Sequence, residues 1–169
     1  VRNPLIIGTA GGLVANLAKP PQGGDRDQIK AAAAGQCDIA IANTYYLSGM
    51  LDSADPADKA AAQQMGVFWP NQDGPQPEGR GVHVNVSGAA VTRAAKRKAA
   101  AVKLLEFMAA PEAQAWYAEA NGEYPVVPGV PVGAALAAWG TFKADTLNLA
   151  RLGELNADAA RLMDRAGWK

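Results

Sequence analysis

The spacing of apolar positions divides the chain into helix-like and strand-like segments that alternate through its first half. Pro20, Pro21, Gly23 and Gly24 form a loop, and Asp25 with Gln28 three residues on resembles a capping box opening a helix through the alanines to about Gly35. Asp38-Ile-Ala-Ile-Ala42 is an apolar run of strand length, and Thr44 to Leu51 reads as helix again. A helix from about Pro56 to Gln64 leads to a strand, Val67-Phe-Trp69, and then to a polar loop rich in glycine and proline over 71–81. Val82, Val84 and Val86 alternate with His83 and Asn85, the period of a half-buried strand, until Ser87-Gly88 interrupts it.

In the second half, Ala101, Leu104, Leu105 and Met108 recur at helical spacing between Lys96 and Ala109, with basic residues around the helix start as a solvated face. Pro111 suits the first turn of the next helix, which Gly122 ends. Beyond a proline-broken loop over 124–131, the pattern predicts two more helices, around Phe142 to Leu152 and Asn156 to Ala166. Residues 1–12 carry no element that can be placed. The α-β-α alternation predicts an α/β fold.

Composition narrows the function classes. A chain of 169 residues can bury one core or two small lobes that share segments. With 16 basic and 16 acidic residues it has no long-range field to draw it to nucleic acid or an anionic membrane. No apolar stretch approaches the roughly 20 residues of a spanning helix, so no stable membrane insertion is expected. Cys37, the single cysteine, cannot form an internal disulfide and reads as a buried structural thiol beside a strand. The start at Val1, without an initiator methionine or basic leader, suggests a processed or truncated form.

The most informative residues are Tyr45 and Tyr46, adjacent phenols where a strand gives way to a helix. There they can converge on one point, and a hard, highly charged cation such as iron(III) would favour their phenolates although a phenol titrates near pH 10 in water. Spacing alone favours an ordinary aromatic pair, one ring in the core and one at the rim. His83, the only histidine, lacks a partner for a histidine-rich metal site, and Ser87-Gly88 does not form a nucleophile elbow. The glycines do not have the spacing of a nucleotide site.

Taken in order, Pro20 to Lys30, Ala33 to Tyr46, Phe68 to Gln72, Gly81 to Ala89, Leu104 to Met108, Pro111 to Gln114 and Glu123 to Val126 resemble the bacterial ferric-iron-binding proteins of ABC importers. The resemblance implies a periplasmic-binding-protein-like class II fold, α/β, of which this chain is mostly the C-terminal lobe with returning elements of the N-terminal lobe. By that pattern 13–81 and 123–169 belong to the second lobe and 82–122 return to the first. It implies Tyr45 and Tyr46 as metal ligands and Asn43 as an anion-binding residue. It further implies Fe3+ as the cargo with a synergistic anion, carbonate or phosphate-like, an inner-membrane ABC permease as the partner, and a periplasmic location. Some family members have an asparagine where this chain has Gly24, so the anion site is expected to differ there. Family members are about twice this length, so remaining ligands would lie in an N-terminal part. The Pro75 to Gly79 insertion reads as a surface loop. The alternatives are a class II binding protein for an organic or anionic solute, and an enzyme using His83, Ser87 or Asp73.

Overall fold

The computed structural model describes residues 11–20, 22–75 and 78–168, so most of the unplaced segment 1–12 and part of the 75–79 insertion lie outside the described residues. The chain is built on helices: α1, described over 11–15, α2 (Asp25–Ala33), α3 (Thr44–Leu51), α4 (Pro56–Gln63), α5 (Lys98–Met108), α6 (Pro111–Asn121), α7 (Ala134–Ala138) and α8 (Ala150–Ala166).

Local chemistry explains most of these boundaries. The start of α2 falls one residue earlier than the Asp25 and Gln28 pairing predicts: Gly24 is the cap, and its N–H donates to Asp27 Oδ2 at 2.8 Å. At the other end, Gly35 takes a left-handed φ of 71°, which lets Gln36 N–H reach Ala31 O and Gly35 N–H reach Ala32 O, both at 2.9 Å. The side chain of Asp55 caps α4 by accepting from Ala57 N–H at 2.9 Å.

Helices α2, α3 and α4 pack on one another around Ile29, Leu47, Met50 and Ala62, with Tyr46, Met65, Val67 and Trp139 laid against that core. Lys30 Nζ stands 2.5 Å from Asp58 Oδ1 and ties α2 to α4 at the rim. On the far side of α3, Gly122 ends α6 with φ 63°, and a β-carbon there would lie 2.4 Å from Ser48 Oγ. The α6 terminus approaches α3 to a distance that only glycine permits.

The strand expectations do not become a sheet. Among the described residues the only β pairing outside helices is an isolated parallel bridge between Val82 and Ala144, made by Val82 N–H to Lys143 O at 2.9 Å and Asp145 N–H to Val82 O at 2.8 Å. Residues 38–42 and 67–69 form no ladder, and Ile39 and Phe68 are 77% and 79% exposed. A strand exists only through its partners, and these runs find none within the described residues, so apolar strand composition is left uncovered. Cys37, expected buried, is half-buried in consequence.

The tail also differs from its pattern. In place of two helices around 142–152 and 156–166 there is one, α8, preceded by a non-helical stretch. Asp145 Oδ1 accepts from Leu147 N–H at 3.0 Å and Asn148 Oδ1 from Ala150 N–H at 2.9 Å, local turns that compete with helix. Phe142 is held in an aromatic cluster, its ring centroid 4.5 Å from that of Trp69 and 5.2 Å from that of Tyr124.

Asp145 also pairs with Arg80 at 2.6 Å. Burial alone would push its carboxyl up, but the Leu147 N–H and the Arg80 guanidinium, helped by His83, together hold it below its ordinary 3.8. The folded state therefore binds fewer protons here than the unfolded one, and the contribution is fully present above 3.8 and lost as pH falls through the lower folded value. We expect Asp145→Asn to lower the urea midpoint at neutral pH and to approach the parent once pH has fallen below the lowered folded value, where the carboxyl is protonated in both states. Met50, with 0% exposure, is the centre of the helical core. Met50→Ala should cost about 2–5 kcal/mol in denaturant unfolding.

Candidate metal site at the tyrosine helix

Helix α3 starts at Thr44, with Asn43 as an extended N-cap at φ −73° and ψ 139°. An asparagine at this position ordinarily turns its side-chain oxygen onto a first-turn N–H. Asn43 makes no such bond. Its backbone N–H and its Nδ2 both donate to Asp25 Oδ1, at 2.6 and 3.1 Å, and its Oδ1 accepts from Asn85 Nδ2 at 3.1 Å. The start of the helix keeps its partial positive charge without a side-chain cap.

Tyr45 and Tyr46 occupy this first turn, both half-buried, with ring centroids 4.5 Å apart and planes inclined at 41°. The Tyr46 ring leans on the core of Leu47 and Met50. Burial pushes the Tyr45 phenol above its ordinary 10.0, and a hydrogen bond with Tyr46 and the nearby carboxylates of Asp25 and Glu123 push it further the same way. Without metal it is therefore neutral at neutral pH, and a metal ion would have to displace its proton. The same carboxylates that disfavour a bare phenolate favour a cation placed against it.

Glu123, just past the α6 terminus, also accepts from Ser87 Oγ at 3.3 Å. The 82–88 segment thus makes two bonds around the site, from Asn85 to Asn43 at the start of the tyrosine helix and from Ser87 to Glu123 past the α6 terminus. Among the described residues no group of three or more His, Cys, Asp or Glu is arranged to hold a metal; the oxygen groups gathered here are the two phenols and the carboxylates of Asp25 and Glu123.

Of the residues named from sequence, Asn43, Tyr45 and Tyr46 come together here. His83 does not: it lines a groove of about 260 Å³ with Val84, Ala144 and Leu149, and neither tyrosine belongs to its walls. Ser87 donates to Glu123, not to a histidine. Sequence reasoning missed Asp25, Asn85 and Glu123 as neighbours of the site. Asp25 and Asn85 stand 18 and 42 residues from Asn43, beyond any local periodicity.

Residues 14–144 match the family model described as bacterial extracellular solute-binding protein, and the chain belongs to that family. Membership sets aside the enzyme reading of His83, Ser87 or Asp73. The chain is 49% identical over 160 residues to Iron uptake protein A1 of Synechocystis, a match that covers 95% of this chain and 43% of that protein. Among solved structures it resembles the Trichodesmium FutA (IdiA) protein in complex with iron and citrate ligands, at 50% identity and a TM-score of 0.89, covering 96% of this chain and 50% of the other. It also resembles the ferric binding protein from Campylobacter jejuni, at 35% identity and a TM-score of 0.90, covering 99% and 51%. The chain spans about half the length of the relatives it matches.

Proposed function

We propose that this chain is part of a periplasmic protein that captures ferric iron and hands it to an ABC permease in the inner membrane. Tyr45 and Tyr46 act as phenolate ligands, and Asn43 stands beside a synergistic anion, carbonate or phosphate-like. The observation that carries the reading is the pair of half-buried phenols, 4.5 Å apart between ring centroids, at a helix start flanked by carboxylates. Its support from outside the chain is the close likeness to an iron uptake protein and to a relative holding iron and citrate.

The physical sequence is short. Iron(III) displaces the phenolic protons as it binds, because a trivalent cation against two oxygens outweighs the burial that keeps Tyr45 protonated. An anion then settles at the uncapped start of α3, where the helix end and the Asn43 amide favour negative charge. Hard oxygen donors suit this metal, which takes about six of them, so two phenolates and an anion leave positions for ligands outside these residues. In the class II arrangement 13–81 and 123–169 form one lobe and 82–122 return to the other. The bonds from Asn85 to Asn43 and from Ser87 to Glu123 then cross between them.

Direct ligation by phenolate gives a visible charge-transfer band. Adding ferric salt should produce one, and it should weaken or shift in both Tyr45→Phe and Tyr46→Phe; a band unaltered in the two variants would rule these residues out as ligands. Asn43→Ala should weaken iron retention chiefly when the supporting anion is scarce. Chelator competition at low and high phosphate checks this, and equal loss at both would point to misfolding instead.

A further inference from the structure

An asparagine at a helix N-cap has a favourable use for its side-chain oxygen, and Asn43 forgoes it. The reason lies in two residues from distant parts of the chain. Asn85 Nδ2 donates to Asn43 Oδ1, the very atom that capping would need. Asp25 Oδ1 accepts both from the Asn43 N–H and from its Nδ2, which fixes the backbone and the amide plane together. The bonds to Asp25 are partly shielded from solvent, and Asp25 sits in the first turn of α2, where its negative charge is itself favoured.

We infer that Asp25 and Asn85 are positioning residues that hold the Asn43 side chain away from its own helix, so that the first turn bearing Tyr45 and Tyr46 stays uncapped. The link to anion and iron rests on the function proposed above; the capping geometry does not. Asp25 contributes through its oxygen acceptor and Asn85 through its amide donor, and neither is assigned contact with the metal.

Removing either anchor frees Asn43 to cap. Amide hydrogen exchange on the metal-free chain reads this without iron: in Asn85→Ala and in Asp25→Ala, exchange at Tyr45 or Tyr46 should slow by about fivefold, the size of one N-cap bond. Asp25→Asn retains an oxygen acceptor and should recover most of the parent behaviour. A second measurement follows retention of ferric iron against citrate over a range of inorganic phosphate. Both alanine variants should lose about tenfold at limiting phosphate and little at saturating phosphate.

Unchanged or faster exchange at both amides in Asn85→Ala overturns the inference, and this variant decides the matter if Asp25→Ala fails to fold. Failure of Asp25→Asn to recover the parent behaviour would overturn the acceptor role of Asp25. Phosphate-independent loss of iron would overturn the link to the anion. A parent chain that retains no iron would count against the proposed function alone, with the exchange result still deciding the positioning.

Discussion

A helix of eight residues cannot hold itself together in water, because too few backbone bonds form to offset the ordering of its first turn. Helix α3 exists because Leu47 and Met50 are buried against Ile29 of α2 and Ala62 of α4. That burial fixes the rotation of the helix, and the rotation decides where Tyr45 and Tyr46 can reach. The apolar contact and the polar site are thus two faces of one element. Tyr46 belongs to both, since its ring leans on the core while the adjacent phenol sits among carboxylates.

The site is assembled from parts whose separation in sequence is large and whose bonds are few. Asp25 comes from the start of α2, Asn85 and Ser87 from the segment after the glycine-rich loop, and Glu123 from the residue after the α6 terminus. That loop is itself tied to the tail by Gln72, whose side chain accepts from Lys143 N–H at 2.6 Å and donates to Lys143 O at 3.1 Å. Charge is gathered at the helix start: the Asp25 carboxylate accepts from the Asn43 N–H and Nδ2 at the N-cap, and Asp25 and Glu123 both act on the Tyr45 phenol.

Local pattern made much of this legible. Pro56, Pro111 and Gly122 mark helix ends through chemistry that acts within a turn, and α3 runs over the residues its apolar pattern indicates. The tyrosine pair stood out for the same reason, as a feature contained in two positions. Pattern misled where an outcome depends on partners. The valines of 82–86 have strand periodicity, yet a ladder needs a second strand, and only Val82 meets one, at Ala144. Around 142–149 helical spacing lost to Asp145 and Asn148, whose short side chains bind nearby N–H groups. The surroundings of Asn43 were out of reach because nothing in a single sequence states that positions 25 and 85 meet at position 43.

The close approach at Gly122 gives this architecture a point of no tolerance. Two independent requirements coincide there: a left-handed backbone, and the absence of any atom where Ser48 already stands. Ser48 lies on the tyrosine helix and Glu123 follows Gly122 directly, so the gap left by one missing methyl group sets the spacing between a phenol-bearing element and a carboxylate. A substitution at this position acts as a wedge. Even a chain that accommodated it would do so by widening that spacing, and would fold with the phenols of the helix displaced from Glu123.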